Sequence, residues 1–232
     1  KVKTLGYVYD LSHYRYDNAF GPYIPDGNWR VNWEHVLALH HDMSMHLVDV
    51  DEAGVFEYVI FPMSLPYCQS VIPRPLETFG GDWAGISGNW RMVFCFIDHR
   101  VLLTMFQRAP STPLDPSFFG NPDFDEAFRS MPLELRVLSI EDDPKHPKYP
   151  RIHFGGKHAD YTIVGTVELT PHRDVRWHWT AGEDGDPVWN CEGVQVGSVR
   201  SPFGVVGAWT TVFHHEHDPA GGYPFRLGLL HC

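Results

Sequence analysis

The stretch Val175-Arg176-Trp177-His178-Trp179 decides the fold class. Successive side chains of a strand point to opposite faces, so Val175, Trp177 and Trp179 share one face and Arg176 and His178 the other. A few residues on, Cys191-Glu192-Gly193-Val194-Gln195-Val196-Gly197 repeats the pattern. There Glu192, Val194 and Val196 share one face, and Cys191, Gly193, Gln195 and Gly197 the other. Glycines on a strand face leave room beside the sheet, for a neighbouring bulky side chain or for a ligand.

Working outward, the chain from Trp83 onward reads almost wholly as strands, at 90–97, 101–107, 133–140, 151–154, 162–169, 175–180, 188–199, 205–213 and 225–230. The 101–107 segment is placed to pair with 90–97 across Asp98–Arg100. Pro171–Asp174, Gly182–Pro187 and Pro202–Gly204 supply turn chemistry between the later strands. Upstream, Leu5, Tyr7 and Tyr9 alternate, which predicts an opening strand over 4–10. The clearest helix spans 32–48, with Asn32 as its cap and an apolar face of Trp33, Val36, Leu37, Leu39 and Met43. A strand at 54–61 stops at Pro62, and a Pro-rich arm follows to Pro75. The expected fold is a single domain over residues 1–232, mostly β: an antiparallel barrel of about nine or ten strands with one main α-helix.

Composition narrows the function classes. Apolar residues make up 43% of the chain and aromatics 14%, which excludes a disordered chain. The formal net charge is −11, and Lys and Arg form no cluster, so nucleic acid and anionic membrane are not expected partners. No apolar stretch approaches the roughly 18 residues of a membrane span. Cys68, Cys95, Cys191 and Cys232 lie far apart with no CxxC pair, which reads as reduced thiols in a cytoplasmic protein. Cys95, within an apolar run, reads as a small buried hydrophobe.

Familiar chemistry is not spelled out. Gly85-Ile86-Ser87-Gly88-Asn89 fails G-x-S-x-G at Asn89, and no phosphate-cradling glycine loop occurs. Histidines gather at His40, His41 and His46, and at His214, His215 and His217 with Asp218, but HExxH is absent. The second group reads as a polar loop. No metal or other cofactor is expected. The abundant aromatic rings are read first as core. Several of them around a few directed polar groups would also make a small-molecule site.

Two blocks carry a family resemblance. Asp82-Trp83-Ala84-Gly85-Ile86-Ser87-Gly88-Asn89-Trp90-Arg91, through Cys95-Phe96-Ile97-Asp98, resembles the region after the F-box in fungal F-box-type proteins. So does Glu192-Gly193-Val194-Gln195-Val196-Gly197-Ser198-Val199-Arg200-Ser201, followed by Gly204-Val205-Val206-Gly207-Ala208-Trp209-Thr210. Tyr7-Val8-Tyr9-Asp10 and Val31-Asn32-Trp33-Glu34 are similar too. The resemblance implies a β-barrel that selects substrates for a ubiquitin ligase, but a helical F-box is not among these residues. Less closely, the chain resembles stand-alone fungal hetero-Diels–Alderases of tropolonic sesquiterpenoid biosynthesis, which implies cofactor-free cycloaddition in secondary metabolism.

That reaction needs no nucleophile. It needs an apolar site that orients two reactants and a donor to polarise a carbonyl. The expected donors are Arg176 and His178, with Glu192 or Gln195 orienting them, and Trp90, Trp177 and Trp209 are the expected walls. Arg176 and Trp177 face opposite ways, so a single interior cannot hold both. The expected ligand is an apolar conjugated molecule, and edge strands leave a homodimer open. The alternatives are an F-box-type recognition barrel and a lipophile carrier without turnover.

Overall fold

The computed structural model describes residues 1–47, 81–98, 100–101, 114–121, 124–199, 201, 203–214 and 223–229. Eight strands form a closed antiparallel barrel in chain order: β1 (Gly88–Phe96), β2 (Ala127–Glu141), β3 (Arg151–His158), β4 (Tyr161–Leu169), β5 (Val175–Glu183), β6 (Asp186–Gln195), β7 (Val205–Thr211) and β8 (Tyr223–Leu229). Pairing of β8 with β1 closes it. The count is eight and not nine or ten. β1 has β2 and β8 as its neighbours. The expected strand at 54–61 and residues 102–107 lie outside the described residues.

Register settles which faces point inward. Trp177 stands opposite Val167 and Gly193, and Trp179 opposite Gly165 and Cys191. These positions, with Trp90, Met92, Leu133, Phe154, Ile163, Phe225 and Leu227, belong to one continuous interior cluster. The interior glycines are filled in by rings. A Cβ at Gly165 would lie 2.7 Å from Phe154 Cζ, and one at Gly207 2.7 Å from Phe225 Cε1. Small residues opposite large ones let the aromatics of a narrow barrel interdigitate.

Two helices cover part of the outer wall. α2 (Trp33–Leu47) starts as expected, with Asn32 Oδ1 accepting the His35 N–H at 3.1 Å. Its buried face, however, runs through His35, Val36, Leu39, Asp42 and Met43, whereas Trp33 and Leu37 are about half exposed. The opening segment, expected as a strand, is helix α1 (Val2–Val8). Leu5, Val8 and Tyr9 are all fully buried, and their i, i+3, i+4 spacing suits a helix as well as the Leu5-Tyr7-Tyr9 alternation suits a strand. Packing decides: this face joins Val36, Leu39 and Met43 of α2 and the outward Val93, Cys95, Val194 and Val206 of the barrel. A seven-residue helix holds only through such contacts.

His35 lies within this layer, 1% exposed. Tyr14 donates its hydroxyl proton to Val8 O at 2.7 Å, so His35 Nε2 at 3.1 Å must be the donor to Tyr14 Oη, with the ring neutral. Burial, with His13 nearby, lowers its pKa to about 3. The unfolded chain therefore takes up a proton here, below about pH 6.5, that the folded chain refuses. The contribution of His35 is complete above that pH and is lost on acidification, by roughly 1.4 kcal/mol per pH unit down to about 3. Urea unfolding at about pH 7.5 and about pH 5 should show a steeper loss for wild type than for His35→Gln. Parallel losses would contradict the assignment.

Candidate functional site

The strand ends divide the barrel into two halves. At one end, where β1 starts and β6 finishes, residues 81–87 fold inward as a plug. Asp82 caps the plug, its carboxylate accepting the Ile86 and Ser87 N–H groups at 2.8 Å each. Trp83 Nε1 donates to Pro150 O at 2.6 Å, and Trp90 Nε1 to Ile86 O at 2.7 Å. Gln195 ties plug to wall, with Nε2 donating to Ala84 O at 3.4 Å and Oε1 accepting from Trp177 Nε1 at 3.1 Å. Trp83, Ala84 and Ile86 are at most 2% exposed. Residues 82–87 are therefore a stopper.

Two of the expected wall residues and one expected polar residue lie in this sealed half. Trp90 and Trp177 meet edge to face at 5.4 Å, and Gln195 is 3% exposed with its partners as given. Arg176, His178 and Glu192 face outward. Arg176 reaches Glu192 through Nε at 3.0 Å and Glu168 through a terminal nitrogen at 2.8 Å, and Arg151 closes on the other Glu168 oxygen at 2.7 Å. The Arg176 guanidinium lies 3.9 Å from the centroid of the Trp29 ring, and a Cβ on Gly21 would touch Glu192 Cβ. His178 Nε2 lies 3.0 Å from Asn190 Oδ1. Burial raises the Glu192 pKa and Arg176 opposes the rise; burial works against the Arg176 charge, but Glu192 holds its pKa high. This ion-pair chain clamps the N-terminal segment to the outside of the barrel.

At the opposite end the inward rings are only half-buried. Phe94, Met131, Ala181, Trp189 and Trp209 share intermediate exposure, and Tyr223 is nearly buried. Trp209 sits at the centre: its ring lies 4.5 Å from Tyr223, 4.8 Å from Trp189 and 5.8 Å from Phe94. Among the described residues its buried indole nitrogen has no hydrogen-bond acceptor. An orphaned buried N–H costs about 1–3 kcal/mol, so it is a natural anchor for an acceptor atom of a ligand. At the rim Arg129, which pairs with Phe94 across the sheet, holds its guanidinium 6.0 Å from the Phe96 ring centroid. The arrangement offers stacking surfaces, one inward donor and one cation at the edge.

Of the expected site residues, Trp209 alone belongs to this end. Trp189 and Ala181 continue the inward alternation of Cys191 and Trp179, and Phe94 and Met131 follow Met92 and Leu133. That signal existed in the sequence once the inward face was known. Of the histidine groups, His40 and His41 lie 6.4 Å apart, and His214 stacks on Phe20 at 3.6 Å. His215, His217 and Asp218 lie outside the described residues. Among the described residues, His46, Cys95 and Glu126 form a group with donor atoms close enough to hold a metal, outside the barrel and beneath α2.

Fold and site together define a closed eight-stranded up-and-down barrel, plugged at one end and aromatic at the other. No family model, curated protein or solved structure matches the chain. No helix among the described residues is long and apolar enough to cross a membrane.

Proposed function

We propose that the aromatic end of the barrel binds an apolar, conjugated small molecule and promotes its cofactor-independent cycloaddition, of the hetero-Diels–Alder type. The observation that carries this reading is the buried, unpartnered Trp209 indole N–H among half-buried rings. Phe94, Trp189 and Tyr223 offer faces on which a flat conjugated reactant stacks. The Trp209 N–H donates to a carbonyl oxygen and draws electron density from the conjugated system, and Arg129 steers a polar group at the rim. Orientation of two reactants can contribute as much as about 7–11 kcal/mol of barrier reduction. Arg176, His178 and Glu192, turned outward, take no part in this mechanism.

The same end supports a carrier without turnover, and the sequence resemblance supports a recognition barrel that takes a peptide. One experiment separates the three. Purified protein without added cofactor is given a quinone methide or reactive diene with an apolar alkene, and adduct rate and stereochemistry are followed against buffer. Faster, stereoselective product that slows in Trp209→Phe supports the cyclase. Saturable ligand binding with no rate change leaves the carrier. Neither binding nor turnover overturns the small-molecule reading in favour of a peptide ligand.

A further inference from the structure

The buried face of α2 carries two polar residues one turn apart, Asp42 and His46, and both look toward the barrel wall. His46 Nε2 lies 2.7 Å from one oxygen of Glu126, and the hydroxyl of Tyr9 donates to the other. Cys95, on the outward face of β1, is fully buried, and donor atoms of His46, Cys95 and Glu126 all lie within 4.8 Å of one another. Asp42 is 0% exposed, and among the described residues no donor reaches either of its carboxylate oxygens. The Asp42 carboxyl adjoins that of Glu126.

A buried carboxylate without a donor is costly, and two side by side are costlier still, unless a cation lies between them. The geometry points to a divalent-metal site formed by His46, Cys95 and Glu126, with Asp42 as the fourth ligand. One imidazole, one thiolate and carboxylate oxygens form a mixed donor set suited to zinc and to its spectroscopic substitute cobalt(II). Ligands about 2.0–2.3 Å from a tetrahedral ion stand roughly 3.3–3.8 Å apart, so the 2.7 Å contact between His46 and Glu126 opens slightly to admit the ion. Binding displaces the Cys95 thiol proton to solvent. Tyr9 then orients Glu126 from outside the coordination shell. The ion joins α2 to the strand-bearing wall at β1 and to the entry of β2. Cys95 and Asp42 are fully buried and His46 and Glu126 partly so, which suits a structural role independent of the proposed activity at the aromatic end.

The test is titration of chelator-treated full chain with cobalt(II). The expected result is one equivalent bound with a thiolate-to-cobalt charge-transfer band in the near ultraviolet. Cys95→Ser should abolish that band, Cys191→Ser should retain it, and Asp42→Asn should weaken binding at least tenfold. His46→Gln provides a second reading should Cys95→Ser fail to fold. Zinc should raise the melting temperature of wild type and leave that of His46→Gln unmoved. Absence of a saturable charge-transfer band overturns the site. So does a band that survives Cys95→Ser, which would place the ion on Cys68, Cys191 or Cys232, and so does equal zinc stabilisation of wild type and His46→Gln.

Discussion

Replacing Arg176 with Ala lowers the free energy of unfolding by about 3–5 kcal/mol, because it leaves the buried Glu192 charge with only His178, 3.9 Å away. The Glu192 side chain is 2% exposed and that of Arg176 16%, so water cannot restore what the guanidinium provides. The same change removes the cation from the Trp29 face and one partner of Glu168. The double variant Arg176→Leu, Glu192→Leu should recover much of the loss, since the cost lies in the stranded charge more than in the missing attraction. Urea unfolding checks both. A loss under about 1 kcal/mol would mean that the pair is as weak as a surface bridge. Ligand affinity at the aromatic end should be unchanged in whatever fraction remains folded, as Arg176 lies on the other side of the wall.

Replacing Trp177 with Ala removes the centre of the sealed half, at a cost of about 3–5 kcal/mol. The indole packs against Trp90 and Phe154, each at 5.4 Å between ring centroids, and its N–H satisfies Gln195 Oε1. Truncation leaves a cavity walled by those rings and a buried amide oxygen without its donor. Gly193, opposite on β6, lies in tight quarters with Val205 and Phe225, so the wall cannot collapse freely to fill the space. Trp177→Phe keeps most of the volume and should cost distinctly less, the remainder being the lost hydrogen bond. Equal costs for Ala and Phe would show that packing at this level is loose.

The barrel was legible because Trp177, Trp179, Cys191 and Gly193 alternate with polar neighbours, and that alternation survives in the register. Which face pointed inward was not. The outer wall of β6 and β7 is itself covered, so Glu192, Val194 and Val206 are as buried as residues inside. When both faces of a strand are buried, polarity no longer separates them, and Arg176 looked like an interior donor for that reason. The opening segment differs: Leu5, Tyr7 and Tyr9 fit the strand period while Leu5, Val8 and Tyr9 fit the helical one, and only contact with α2 chooses between them. Asp42 and His46 could have been noticed as a helical i, i+4 pair. Their partners Cys95 and Glu126 are brought to them by tertiary packing alone.

On the proposed function, ligand enters at the aromatic end, where Ala181 lies. Ala181 is half-buried, faces inward, and pairs with Ile163 and Trp189. The measurement is fluorescence titration with an uncharged solvatochromic dye such as Nile red, on wild type and on Ala181→Phe. Wild type should bind one equivalent saturably. Ala181→Phe should lose at least tenfold in affinity while keeping its far-ultraviolet spectrum and unfolding midpoint. Dye binding equal in the two proteins, or no saturable binding to wild type, would contradict the account.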